Sequence, residues 1–270
     1  MEETAQSVTV TSILGLRVNP TSYSEAVAAC LAWAQTRQSK YVCVANVHMT
    51  MEGWDSADLQ RVFNSADLVV PDGMPLVWAL RLLGGRSATR VRGPDLMLKL
   101  CEAAAENEIP VALYGGTEES LAKAIGFLKA QYPLLDVACA LAPPFRPLTE
   151  EEISQHVARI SASGARIVFV GIGCPKQEIW MAGNRGRLQA VMLGVGAAFD
   201  LISGRTRHAP LWMQRVGLEW LFRLLTEPRR LWKRYLKHNP RFLSLFAIQR
   251  LAGAFGVRVF EKRRAGKGDE

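Results

Sequence analysis

The chain has 270 residues, 49% of them hydrophobic and 21% charged, with a net charge of +8. That length and composition are enough for one large α/β domain or two small ones, and they exclude a low-complexity or disordered chain. No uninterrupted apolar run approaches the roughly 20 residues of a membrane-spanning helix, and Met1-Glu2-Glu3-Thr4 is too acidic for a signal peptide, so the chain is expected in the cytoplasm.

Taken in chain order, Tyr41–Val47 and Asp67–Val70 are short apolar runs with strand character, the second ending at Pro71-Asp72-Gly73. Met74–Leu83 is predicted helical and stops near Gly84-Gly85. Gly93-Pro94-Asp95 opens a further helix to about Asn107, with Pro in the first turn and Asp95 facing the positive helix end. A strand at Ile109–Tyr114 is followed by a helix at Glu118–Gln131 behind the N-cap Thr117. Asp136–Leu141 is a strand, and Thr149 with Glu152 has capping-box spacing. Ile167–Gly171, the helix start Pro175–Ala182 and the strand Ala190–Val195 complete the pattern. The fold class is therefore α/β: a Rossmann-like, mostly parallel sheet with helices on both faces. The body runs over 1–204, a basic helical C-terminal appendage over 205–261, and a disordered tail over 262–270.

Charge supports that division. Residues 205–264 hold 15 Lys/Arg against 3 Asp/Glu, a balance of +12, and the remainder is mildly acidic at −4. Trp212, Trp220, Phe222, Trp232, Tyr235, Phe242 and Phe246 interleave with the appendage's basic residues. Leu211, Val216, Trp220, Leu224 and Leu225 approximate one apolar face across Leu211–Thr226, and a second helical stretch spans Leu231–Asn239. This mixture fits an interfacial helix on an anionic membrane surface, or a docked helix with a solvated basic face; nucleic acid is not the expected partner. The five cysteines (Cys30, Cys43, Cys101, Cys139, Cys174) are scattered and are expected as free thiols, without a zinc-ligand spacing.

In an open parallel sheet, ligands bind beyond the carboxyl ends of the strands. Three such ends carry glycines: Gly115-Gly116-Thr117, Gly171-Ile172-Gly173, and Gly194-Val195-Gly196. Glycine lets backbone approach a phosphate, but glycines also end strands in ordinary turns. Neither a P-loop nor an opening Gly-x-Gly-x-x-Gly is present, which disfavours a nicotinamide oxidoreductase. Asp72 can accept the proton of an incoming hydroxyl or simply cap the helix at Met74. Arg90 and Arg92 can hold a diphosphate or form a salt bridge with Asp95. Asn46 and His48 can line a site or satisfy a turn. No Asp-x-Asp occurs, so the usual metal-diphosphate clamp has no candidate, and no cofactor is expected.

In order along residues 10 to 240, the segments Ala45-Asn46-Val47-His48, Asp67–Trp78, Arg90-Val91-Arg92-Gly93-Pro94-Asp95, Tyr114-Gly115-Gly116, Gly171–Glu178 and Gly194–Asp200 resemble the WecG/TagA/CpsF family, glycosyltransferase family 26. The appendage resembles it too, in Arg207-His208-Ala209-Pro210, Gly217–Leu224 and Glu227-Pro228-Arg229-Arg230. The resemblance implies inverting, metal-independent transfer from a UDP-sugar donor to a polyprenyl-diphosphate-linked acceptor at the inner face of the cytoplasmic membrane. The donor it implies is N-acetylmannosamine or, alternatively, glucose, and the products belong to teichoic acid, common-antigen or exopolysaccharide synthesis. It assigns Asp72 as general base, with Asn46, Arg90 and Gln177 in the same pocket. Gly115, Gly116, Gly171, Gly173, Gly196 and Asp200 would hold UDP. Arg215, Arg223 and one of Arg229 or Arg230 would bind the diphosphate. Val44 and His208 stand where the family commonly has Thr and Arg. A non-catalytic membrane or nucleotide-binding module is the rival reading, and homo-oligomerisation through the α/β bodies is left open.

Overall fold

The structure is a computed structural model and describes residues 10–206 and 208–255. Arg207, residues 256–261 of the appendage and the expected disordered tail lie outside the described residues.

A small antiparallel hairpin, β1 (Thr11–Ile13) and β2 (Leu16–Val18), precedes α1 (Tyr23–Gln35), which opens on a Ser22/Glu25 capping box. Then follow β3 (Lys40–Ala45), α2 (Val47–Asp55), α3 (Ala57–Asn64), β4 (Leu68–Pro71), α4 (Met74–Leu82) and α5 (Gly93–Glu106). The second half contains β5 (Val111–Gly115), α6 (Glu118–Gln131), β6 (Val137–Leu141), α7 (Glu150–Ala162), β7 (Ile167–Gly171), α8 (Lys176–Gly183), β8 (Val191–Gly194) and α9 (Ala198–Ile202). The appendage is α10 (Leu211–Arg215), α11 (Glu219–Thr226) and α12 (Pro228–Ala254).

Strands β3 to β8 form one parallel sheet in the order β4-β3-β8-β7-β5-β6. Its strands are short, near-continuous apolar runs because both faces are covered. Period-two alternation divides them between two cores. Tyr41, Cys43 and Ala45 of β3 pack with Tyr114, Val168, Val170 and Met192 on one face. Val42 and Val44 pack with Leu113, Phe169, Val191 and Leu193 on the other. All strands run the same way, so every carboxyl end, and with it Asn46, Asp72, Gly116, Gly173 and Gly196, lies along one edge of the sheet.

Three expectations need correction. The first strand stops at Ala45, and Asn46 opens an unexpected helix: its Oδ1 accepts from the Met49 amide at 3.2 Å. The span Leu211–Thr226 is two helices, broken at Gly217 with φ +76°. A Cβ at that position would lie 2.9 Å from Trp78 and 3.0 Å from Met74, so glycine is required for the break to close onto α4. Finally, α12 does not end at Asn239 but continues through Pro240 to Ala254, 27 residues and about 40 Å in all. Proline removes one helical hydrogen bond. Docking of the following segment outweighs that loss: Phe242 is buried in the body's core, Arg241 pairs with Asp55 at 2.6 Å, and Gln249 bridges Leu14 N and Ser12 O at 2.9 Å each. The cysteines are free, with Cys30, Cys43 and Cys101 buried and Cys139 and Cys174 partly so.

Candidate active site

Two cavities open along the carboxyl edge of the sheet. The first, about 650 Å³, has a floor made by Asn46 and Asp72 at the ends of β3 and β4. One wall is α4 with Met74, Pro75 and Trp78; the other comes from the appendage, with Trp220 and Arg223 of α11 and Tyr235, His238, Leu243 and Phe246 of α12. The second, about 800 Å³, lies over β5, β7 and β8. Gly116, Thr117, Gly171, Gly173, Gly196 and Asp200 line it, together with Thr226, Glu227 and Arg230. Helix α11 thus borders both: Arg223 faces the first cavity, and Thr226 at its last position faces the second.

Asp72 does not cap α4. The N-cap is Gly73, and the helix start carries no side-chain cap bond. The carboxylate is therefore free to face the first cavity. Burial raises its pKa above the ordinary 3.8, against the opposing pull of Arg90, with nearby Glu219 adding to the rise. A raised pKa moves a carboxylate toward proton-accepting strength near neutral pH.

Arg90 is fixed in three directions. Its Nε donates to the Asp72 carbonyl at 2.6 Å, Nη1 to the Gln214 carbonyl at 3.2 Å, and Nη2 to Glu219. Arg92 is buried and bonds Asp95 at 3.1–3.2 Å and Glu219 at 3.3 Å. Tyr23 completes the frame: its hydroxyl donates to Asp95 at 3.0 Å and accepts from Arg92 N at 2.9 Å. Burial opposes ionisation of Glu219, but Arg92 and Arg90 overcome that and hold its pKa below 4.5. Glu219 is the residue that sequence reading missed. It is one of only three acids in the basic segment 205–264, and that isolation was the available signal.

The remaining expected residues divide. Asn46 both caps α2 and lines the first cavity. Gln177 does not share that cavity. It is buried, its Oε1 accepts from Gly196 N at 3.2 Å, and its Nε2 donates to Glu178 at 2.8 Å. It shapes the loop after β8 from behind. Gly116, Gly171, Gly173, Gly196 and Asp200 meet around the second cavity. Gly115 does not line it: a Cβ there would fall 2.5 Å from the Gly171 backbone, so strand approach accounts for the glycine. Arg223 lines the first cavity and Arg230 the second, where Glu227 holds it at 2.6 Å. Arg215 and Arg229 are exposed and line neither.

The arrangement offers a part-buried carboxylate in an apolar cavity, next to a cavity bordered by glycine backbone, with Arg223 of α11 at the first and Arg230 of α12 at the second. These parts suit group transfer from a phosphate-bearing donor to an acceptor with an apolar portion. The model of the glycosyl transferase WecG/TagA/CpsF family matches residues 11–255. An N-acetylglucosaminyldiphosphoundecaprenol N-acetyl-beta-D-mannosaminyltransferase from Bacillus spizizenii is 32% identical over 205 residues, which cover 76% of this chain and 77% of that protein. A family match across both the sheet and the appendage, on a chain whose matched motifs converge at one sheet edge, leads to one assignment: the chain belongs to the WecG/TagA/CpsF family of glycosyl transferases.

Proposed function

We propose that the protein transfers a hexosyl group, N-acetylmannosaminyl in the first instance, from a UDP-sugar to a polyprenyl-diphosphate-linked sugar, with inversion, in cell-surface polysaccharide synthesis. The observation that carries this reading is Asp72: it faces an apolar cavity, caps nothing, and has a pKa raised by burial. In this reading the acceptor's sugar hydroxyl enters the first cavity and Asp72 takes its proton as the oxygen attacks the anomeric carbon. The apolar walls given by Trp78, Trp220 and Leu243 accommodate the first isoprenoid units. The donor's diphosphate occupies the second cavity against the glycine backbone at Gly116 and Gly173, while the Gly196 amide is held by Gln177. Departing UDP carries developing negative charge, which Arg223 and Arg230 offset without a metal ion. Attack and departure occur on opposite faces of the sugar, so one base suffices and the configuration inverts.

The same reading places the protein at the inner face of the cytoplasmic membrane. Among the described residues, no helix is long and apolar enough to cross a membrane. The appendage does expose Leu211, Trp212, Leu225, Trp232, Leu236 and Leu251 among its basic residues, the composition of an interfacial surface.

The test is UDP release from UDP-N-acetylmannosamine with a short-chain polyprenyl-diphosphate-N-acetylglucosamine acceptor. Wild type should release UDP only when the acceptor is present. Release with a different UDP-sugar would keep the reaction class and change the donor; no release with any UDP-sugar and lipid acceptor would reject the reading.

A further inference from the structure

Where α12 crosses α2, three side chains converge on a point that the transfer reaction does not use. His48 and Glu52 stand one turn apart on α2, and His238 projects from α12. His48 Nδ1 lies 3.6 Å from Glu52 Oε1, and His238 Nε2 lies 3.6 Å from the same oxygen. One ligand-competent atom from each lies within 4.8 Å of the others. None of these contacts is a hydrogen bond, because each is longer than that interaction allows. His48 Nδ1, the atom that faces Glu52, is nonetheless buried without a hydrogen-bond partner, and His238, which offers Nε2, is only 4% exposed. A buried, unsatisfied imidazole nitrogen in a native fold calls for a missing partner.

We propose that His48, Glu52 and His238 bind a divalent transition-metal ion of the zinc class, which clips the appendage to the body. Two imidazoles and one carboxylate are a zinc ligand set that leaves one coordination position open. In a tetrahedral site with bonds of about 2.0–2.1 Å, ligand atoms stand about 3.3–3.4 Å apart. Both Glu52 contacts are close to that spacing, and a small rotation of the two rings closes the remainder. The Cys174 backbone lies beside the His48 ring, and His48 Nδ1 is left without a protein partner and available to the ion. Both histidines line the first cavity, so the site lies at its edge.

The surrounding charge is mixed. Arg234, Lys237 and Arg241 face this end of the site, and Asp55 offsets two of them, at 3.5 Å to Lys237 and 2.6 Å to Arg241. The consequence is mechanical. Asn46 caps the N-terminus of the same helix that carries His48 and Glu52. An ion shared with His238 ties the helix behind Asn46 to α12, and so holds the first cavity's wall to its floor. The ion is a clip and takes no part in the transfer step, so the proposal stands or falls independently of the donor and acceptor.

The experiment uses full-length, tag-free protein stripped with a chelator and titrated with Co²⁺ and Zn²⁺. Wild type should bind one equivalent of Co²⁺ with the visible bands of a tetrahedral nitrogen/oxygen site and no thiolate charge-transfer band, and Zn²⁺ should raise its Tm by several degrees. His238→Gln and Glu52→Gln should each weaken binding by at least about 100-fold, since even outer partners of metal sites contribute about 10- to 100-fold; exposed His208→Gln should bind as wild type does. Absence of stoichiometric binding to wild type, a thiolate spectrum, or binding retained in both His238→Gln and Glu52→Gln would overturn the site. The wild-type spectrum decides even if a variant folds poorly.

Discussion

Asp72 carries two expectations of different kind. Replacing it with Asn should lower kcat by about 10²- to 10⁴-fold, the usual range for a general base, while UDP affinity stays near wild type. The same substitution should raise Tm at pH 7. The folded-state pKa of Asp72 lies above 3.8, so the folded chain binds this proton more tightly than the unfolded chain. Stability from this group is therefore lost as pH rises from 3.8 through the folded value, and ionised Asp72 destabilises the fold above it. The gain from Asn should shrink as pH falls toward 4, which thermal melts at a series of pH values will show. Glu219 has the opposite sign. Its pKa is held below 4.5, so its contribution is full above that value and is lost as pH falls through the lower folded value. Glu219→Gln leaves Arg90 and Arg92 without their shared anion and should cost about 1.5–3 kcal/mol in urea unfolding.

At the scale of elements, the glycine-bearing strand ends do two jobs that the sequence alone does not separate. A Cβ on Gly171 would lie 2.6 Å from the Phe199 ring and 2.9 Å from the Gly196 carbonyl. Gly171→Ala should therefore cost about 1–3 kcal/mol, the range for overpacking, and impair nucleotide binding only through that distortion. Gly173 meets nothing within 4 Å but has φ +85°. Gly173→Ala should cost about 1–2 kcal/mol from the left-handed backbone alone, so comparing the two variants in urea melts and UDP titrations separates packing from backbone conformation. In the appendage, Phe242 is 2% exposed and belongs to the same core as Tyr41 and Tyr114. Phe242→Ala should cost about 3–5 kcal/mol, measured as a shift in the urea midpoint of the full chain.

For the whole molecule, the appendage has two faces. One is fixed to the body by Phe242, Arg241, Gln249 and the Arg90–Glu219–Arg92 cluster; the other presents tryptophans and leucines among basic residues. Binding to vesicles containing anionic lipid should fall steeply between low and physiological salt, and vesicles of neutral lipid alone should bind far less in a sedimentation assay. Removing everything beyond residue 204 deletes Arg223, Glu219 and the appendage wall of the first cavity, so turnover should vanish. The sheet should persist in circular dichroism but melt at a lower temperature than the full chain, because Phe242 leaves the shared core.

The sequence by itself determined the alternating parallel sheet. Apolar runs such as Ile167–Gly171, short and bounded by turn residues, read as strands covered on both faces, and caps such as Thr117 and Thr149 mark helix starts by local hydrogen bonding. The ordered motifs also brought the family within reach, and topology placed Asn46, Asp72 and the glycine loops at one edge because parallel strands share their carboxyl ends. What only the tertiary structure decided depends on contacts between distant segments. Gln177 lies behind a loop and not in the Asp72 cavity, because the Gly196 amide and Glu178 claim its amide group. Arg215 and Arg229 are exposed and line neither of the cavities that Arg223 and Arg230 line, and the helix break that separates Arg215 from Arg223 is set by Gly217 packing against Trp78. Helix α12 runs through Pro240 because burial of Phe242 outweighs one absent backbone bond, and that continuity sets His238 against His48 and Glu52, 190 residues apart in the chain at their widest but within 4.8 Å in the fold. Local pattern carries no term for such pairings; their free energy exists only once the two segments meet.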